Sequence, residues 1–315
     1  MYSNLIKQIK EHNTIIIHRH QRPDGDAMGS QIGMREALKT TFPKKNIYAV
    51  GDINERFSFI GELDQIADEA YQGALVIVLD TPEEAMISDE RYKLASYLIK
   101  IDHHIPRNSF GEEQIIDTSF ESCAGLVAYI IFNTRMKLNN HGAQALFTGI
   151  VTDSGRFRYD SVSARTFEIA SKLLKYQFSM SDIYSQLYVE ELKNVKLRAQ
   201  FTLNFQVTKN NVAYVKTTAE DLRKYDVDLF TISRGMVNTM SGIKGIDIWV
   251  NFTEDENNNT VIAEIRSSKY NINPIATKYG GGGHQAASGA TLKDFAEADL
   301  MLADLDKLIE ENING

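Results

Sequence analysis

The sequence predicts an α/β protein with two domains. The first is built on a mostly parallel sheet flanked by helices, and the second is a smaller α/β domain across a cleft. Three observations predict this. Short apolar runs at 14–17, 75–79 and 97–101 alternate with stretches of helical period, as βαβ units do. Strand-like runs return after residue 203, behind a block of consecutive helical patterns. The length, 315 residues, is enough for two domains with their own cores.

In chain order, residues 3–11 read as a short amphipathic helix and Thr14-Ile15-Ile16-Ile17 as the first strand. His18 to Ala27 is a loop, punctuated by Pro23 and Gly25. Helical periodicity runs from Ala27 to about Thr40, through Met28, Ile32, Met34 and Leu38. Strands follow at 47–50 and 75–80, a helix at 89–96 and a strand at 97–102. Ser122–Lys137, Gly142–Thr152, Ala164–Tyr176 and Ser181–Tyr188 read as helices that cover the sheet and close a domain spanning 1–189. The charged, helix-compatible stretch 190–202 is the expected connector to a second domain over 203–315. There, 205–207, 212–215, 246–250 and 261–265 are strands, Asn257-Asn258-Asn259 is a hairpin turn, and 295–311 is a closing helix.

Composition excludes several classes. No apolar run reaches the roughly 18 residues a membrane span needs. The start, Met1 to Lys7, lacks the apolar core of a secretory signal, so a cytoplasmic protein is expected. The single cysteine, Cys123, excludes an intramolecular disulfide and a Cys-based zinc site, and reads as a small core residue. A net charge of -8 argues against a protein that coats long duplex nucleic acid, which needs a basic footprint. A phosphate ligand would be short and held by local charge. No Gly-x-Ser-x-Gly elbow supports a serine hydrolase.

Three strand-like runs stop at chemistry-bearing residues. The first leads to His18, His20, Asp24 and Asp26, the third to Asp80, and the fourth to Asp102-His103-His104. Ligands bind where parallel strands end at their carboxyl side. Adjacent residues of an extended chain face opposite ways, so His103 and His104 are expected to serve different partners. Asp153, in Thr152-Asp153-Ser154-Gly155, adds a carboxylate at a helix end. Singly, Asp24-Gly25-Asp26 also reads as a solvated turn, Asp80 as a helix N-cap or turn starter and Asp153 as a helix-end turn; together, Asp24, Asp26, Asp80, Asp153, His20 and His103 form a set suited to two divalent ions such as manganese, magnesium or zinc. Burying so many carboxylates without cations would be prohibitive. Paired ions roughly 3.5–4 Å apart polarise a phosphoryl group and activate the water that attacks it. His18 is a weaker ligand candidate, because it continues its strand, where packing or a hydrogen bond is the plain alternative.

Near the C-terminus, Gly280 to Gly283 allow close approach of backbone N–H groups to an anion, with His284 as a further donor. A flexible loop is the plain alternative. Arg266, followed by Ser267 at a strand end, reads as the partner of a terminal phosphate, with a surface salt bridge as the alternative.

These motifs resemble a known family. His20 to Ala27 (His-x-x-Pro-Asp-Gly-Asp-Ala), Leu79-Asp80-Thr81, Asp102-His103-His104 and Thr152 to Phe157 are similar, in order and spacing, to the motifs of the DHH phosphoesterases. Gly280 to Gly289 is similar to the signature of the DHH-associated substrate domain. Length and motif wording resemble the bacterial nanoRNase and pAp phosphatase group, which includes cytoplasmic enzymes that split pApA in cyclic di-AMP turnover. The resemblance implies a manganese-dependent hydrolase acting on short oligonucleotides, pApA or pAp. It implies His20 and Asp24 on one ion, Asp26, His103 and Asp153 on the other, and Asp80 bridging both. Asp102 would support the histidines, and His104 would face the scissile phosphate. Arg266, Ser267, Gly282, Gly283 and His284 would hold substrate, and a homodimer is in keeping with related enzymes. The text Ser122-Cys123-Ala124-Gly125 departs from the family's Ser/Thr-rich wording and leaves local packing open. An inorganic pyrophosphatase or polyphosphatase shares the metal motifs but not the glycine–His signature, and a catalytically silent nucleotide sensor is the reading from another class.

Overall fold

The computed structural model describes residues 2–106 and 108–313, and the chain divides into two compact units after Val189. In the first unit, β1 (Thr14–His18), β2 (Asn46–Ala49), β3 (Leu75–Leu79), β4 (Tyr97–Asp102) and β5 (Glu113–Ile116) form one sheet in the order β2-β1-β3-β4-β5. Every pairing in it is parallel. The chain steps from β1 to one side for β2, then crosses to the other side for β3. The carboxyl ends of β1 and β3 therefore flank the switch point at which such sheets open a ligand crevice.

Side-chain alternation sorts the strands between two cores. Ile15, Ile17, Leu75, Ile77, Leu79, Ile99 and Ile101 face a large core. Helices α1 (Ser3–Glu11), α2 (Gly25–Thr41), α3 (Cys123–Asn133), α4 (Asn140–Asp153), α5 (Ala164–Leu173) and α6 (Met180–Tyr188) all place side chains in that core. Ile16, Val76, Val78 and Leu98 face a smaller one, closed by Tyr71, Tyr92 and Phe110. Burial on both faces explains why β3 is apolar at every position.

Two local expectations changed. Residues 89–96 hold only a short 3-10 turn, Glu90–Leu94. Asp89 accepts from the Arg91 N–H and binds its guanidinium, which closes a tight turn. Ser96 N then donates to Ala74 O, drawing the chain into the sheet. The edge strand β5 was not foreseen, because its half-buried, partly polar sequence carries little strand signal.

Helix α2 crosses α4 at small residues. A Cβ at Gly29 would stand 2.5 Å from Ala145 O and 2.9 Å from Gly149 Cα, contacts that backbone cannot relieve. Gly29→Ala is therefore expected to lower stability by about 1–3 kcal/mol, read as a reduced urea midpoint. An unchanged midpoint would contradict this packing.

The second unit opens with α7 (Leu192–Asn204), which spans most of the expected connector. Its sheet has the order β10-β11-β9-β8-β7-β6. The strands are β6 (Gln206–Val207), β7 (Val212–Thr217), β8 (Ile248–Asp255), β9 (Thr260–Ser267), β10 (Gly282–His284) and β11 (Ala287–Leu292). Only β7 and β8 pair in parallel. Helix α8 (Ala219–Tyr225) follows β7; α9 (Asn273–Lys278) and α10 (Phe295–Ile313) help cover one face, while Leu197 and Phe201 of α7 pack on a core with Trp249. The Asn-rich turn at 257–259 joins β8 to β9 as expected, with Asn258 bonded to Asp255. The glycine run is not a loose loop. A Cβ at Gly281 would meet Gly289 O at 2.0 Å, so the β10–β11 hairpin closes only over glycine there.

Candidate active site

The end of β1, the start of α2, the ends of β3 and β4, and the end of α4 bring the acidic and imidazole groups together. Three groups of side chains can each surround a cation: His20, Asp24 and Asp80; Asp26, His103 and Asp153; and Asp80, His103 and His104. Asp80 belongs to two of them, as does His103. His20 Nε2 lies 3.7 Å from Asp80 and 3.9 Å from Asp24. His103 Nε2 lies 3.5 Å from Asp80, 3.6 Å from Asp26 and 3.6 Å from Asp153. These distances are too long for hydrogen bonds, so the groups enclose shared space rather than bond one another.

Each side chain is fixed from behind. Asp24 caps α2, its Oδ1 accepting from the N–H groups of Asp26 and Ala27. Asp26 accepts from Cys123 N at 2.7 Å and Ala124 N at 2.8 Å. The departure from family wording at 122–125 thus acts through backbone donors, which carry no residue signature. Asp80 is 2 % exposed and has a left-handed φ of 51°, a strained conformation typical of functional turns. Its Oδ1 is buried with no hydrogen-bond partner among the described residues. An orphaned carboxylate oxygen facing two imidazoles fits a divalent cation.

Asp102 serves the histidines unequally. Its Oδ1 accepts from the N–H groups of His103 and His104 and from His104 Nδ1, the last at 2.8 Å. The His103 ring pairs instead with Phe120 O through Nδ1. The two imidazoles do not diverge as an extended chain would require. Their centroids are 4.4 Å apart, because β4 ends at Asp102 and its carboxylate folds the next two residues into a turn. His18 is fully buried against the Tyr71 hydroxyl and lies outside the cation groups.

Mutual electrostatics are strong. Burial opposes charge on His20, yet the facing Asp80 carboxylate and the Gln21 carbonyl raise its pKa to about 9. Burial likewise opposes charge on His103, and Asp80, Asp26 and Asp153 raise it to about 10. Burial raises Asp153 to about 6 and, with the Asp80 charge, pushes Asp26 well above the carboxylate range. Against its own burial, Asp80 is held low by His103 and His20. A cation must therefore displace protons, mainly from the two imidazoles. Affinity for manganese is expected to rise about tenfold per pH unit between about pH 6 and 8, with proton release in calorimetry. A pH-independent affinity would contradict this arrangement.

The second unit holds a cavity of about 530 Å³, lined in part by Arg234, Glu264, Arg266, Gly282, Gly283 and Thr291. Glu264 sits between two arginines, accepting from Arg234 Nε at 2.8 Å and Arg266 Nη1 at 3.1 Å. Arg266 therefore forms the salt bridge and lines the cavity at once. Ser267 does not line it. Alternation turns Ser267 to the opposite face of β9, where its hydroxyl accepts from Tyr270 N. His284 is exposed and also lies outside the lining. Sequence reasoning missed Arg234. It rides on a single π turn, Thr231–Gly235, held by Asn251 Nδ2 on the carbonyls of Ile232 and Ser233.

A carboxylate–imidazole cluster at the switch point of a parallel sheet, on a chain that continues into a mixed-sheet unit with an arginine-lined cavity, defines a metal-dependent phosphoesterase. Residues 14–150 match the DHH family, N-terminal domain, and residues 229–311 match the DHHA1 domain. The chain belongs to the DHH phosphoesterase family and is a hydrolase. The bifunctional oligoribonuclease and PAP phosphatase NrnA of Bacillus subtilis is 39% identical over 315 residues, covering 99% of this chain and 100% of that protein. The probable bifunctional oligoribonuclease and PAP phosphatase NrnA of Streptococcus mutans is 34% identical over 309 residues, 98% of this chain and 99% of that one. A solved exopolyphosphatase-related protein from Bacteroides fragilis aligns with a TM-score of 0.78 at 25% identity, covering 98% of this chain and 97% of that chain. No helix among the described residues is long and apolar enough to cross a membrane.

Proposed function

We propose that this protein is a manganese-dependent phosphodiesterase that hydrolyses pApA and other short oligonucleotides to mononucleotides, and pAp to AMP and phosphate. The observation that carries the reading is Asp80, a buried carboxylate shared by two cation-sized groups and left with an orphaned oxygen. The substrates follow from the names of the relatives matched over nearly the whole chain.

His20 and Asp24 would hold one ion, Asp26, His103 and Asp153 the other, and Asp80 both. When bound, such ions polarise the phosphoryl group and activate the attacking water. The protein's own groups do the rest. Cys123 N and Ala124 N aim the Asp26 carboxylate. Phe120 O sets the His103 ring. Asp102 accepts from His104 Nδ1 and so fixes the ring; with a proton on Nε2 as well, His104 would donate to a phosphoryl oxygen and stabilise charge as it develops. In the second unit, Arg266 and Arg234, with backbone N–H groups of Gly282 and Gly283, would take the terminal phosphate.

The test is product analysis with purified protein and manganese, offering pApA, pAp, a short RNA and pyrophosphate side by side. Rapid AMP release from pApA with little pyrophosphate turnover is expected. Rapid pyrophosphate hydrolysis with inert nucleotides overturns the reading. Bound manganese without turnover of any substrate replaces it with a sensor.

A further inference from the structure

Beside the carboxylate cluster, within the first unit, lies a second cavity of about 240 Å³. Asp24 and Asp153 stand in its wall, but the rest of the lining has different chemistry: Phe57, Leu187, Tyr188 and Arg56. Phe57 and Leu187 are 8 % and 5 % exposed, and so form a fixed apolar floor. The Tyr188 ring is stacked by the Arg156 guanidinium, 4.4 Å from its centroid. Arg56 lies against the Phe57 ring at 5.4 Å. Elsewhere in this unit Arg19, Arg35 and Arg91 each hold a carboxylate. Among the described residues Arg56 holds none.

An apolar floor with an aromatic ring and a guanidinium bound to no carboxylate among the described residues suits a flat, π-rich ring system. Bases stack on such surfaces and on arginine planes. The floor disfavours a bare phosphate, which would lose its water to Phe57 and Leu187 for a single cation. Asp24 and Asp153 belong both to this wall and to the cation groups, so an occupant would lie next to whatever reacts there. We propose that this cavity is the subsite for the nucleobase of the nucleotide whose phosphate lies at the carboxylate–imidazole cluster, with Tyr188 and Arg56 holding the ring.

The inference rests on the phosphodiesterase reading above and adds where the base goes and how selective the enzyme is. The Thr152 hydroxyl in the lining is spent on Gly149 O at 2.9 Å, and Asp24 Oδ1 is spent capping α2. Stacking is indifferent to base identity, so selectivity at this subsite would rest on the Arg56 guanidinium, the Tyr188 hydroxyl and the remaining carboxylate oxygens of the lining.

The test is a cycle of enzymes and substrates. Wild type, Tyr188→Ala and Arg56→Met are each assayed on pApA and on two analogues, one lacking the first base and one lacking the second. Each variant is expected to lose about tenfold in kcat/KM on pApA, mainly through KM. That loss vanishes on the analogue missing the base that occupies this cavity. Arg56→Met, at an exposed position, gives the result independently of any folding defect in Tyr188→Ala. Equal losses on all three substrates, or no loss in either variant, overturn the subsite alone. A wild type inert on pApA overturns the phosphodiesterase reading with it.

Discussion

Asp80→Asn is expected to lower kcat/KM by about a thousandfold, some 4 kcal/mol of transition-state stabilisation, while the fold survives. Asparagine matches the shape of aspartate and tolerates the left-handed φ of 51° that this turn imposes. The only large change is the lost charge. Three imidazoles face that charge, His20, His103 and His104, at 3.7, 3.5 and 3.5 Å. No other carboxylate in the site belongs to two of the cation groups. If the site holds two ions as proposed, metal content by mass spectrometry is expected to fall to one or none, with an unchanged near-ultraviolet dichroism spectrum. Full activity with two bound ions would remove Asp80 from the bridging role. Because the amide keeps the packing, a loss of activity with native dichroism reports on charge rather than on the core.

The part of this site that sequence made legible is the part where strands end abruptly. β3 is buried at all five positions, so its run is uniformly apolar and the step to Asp80 is sharp. The same contrast marks β1 and β4. What escaped has a common cause, which is that it depends on partners distant in the chain. Cys123 and Ala124 act on Asp26 through backbone N–H groups that any residue would supply. Arg234 is placed by Asn251, a residue of β8. β10 and β11 are rich in glycine and small residues of weak strand propensity; β11 becomes a strand on the edge that β9 offers, and β10 on the edge of β11. Arg266 shows the reverse. Its place at a strand end was legible, but its partner Glu264, two residues back on the same face, makes the arginine part of a charged triad rather than a free cation.

Lys100 makes the case most sharply. Within the run Tyr97 to Asp102 it breaks an apolar pattern, and a lysine is ordinarily read as solvated. Alternation puts it on the same face as Asp102, and both side chains are 0% exposed with Nζ 3.3 Å from the carboxylate. Nζ also donates to Pro82 O at 3.1 Å and lies 4.5 Å from the Phe110 ring centroid. Lys100 thus ties the turn after Asp80 to the carboxylate that orients His104. Lys100→Met would leave Asp102 buried without its cation, at an expected cost of about 3–5 kcal/mol. In a unit of this size that corresponds to a fall of about 10 °C in the melting midpoint. Lys100→Met combined with Asp102→Asn leaves no unpaired charge and is expected to regain much of that stability. Activity is not regained, because His104 Nδ1 no longer meets a carboxylate. A double variant no more stable than Lys100→Met would assign the loss to packing against Phe110. A fully stable Lys100→Met would show that Asp102 draws its support from the histidine N–H groups alone.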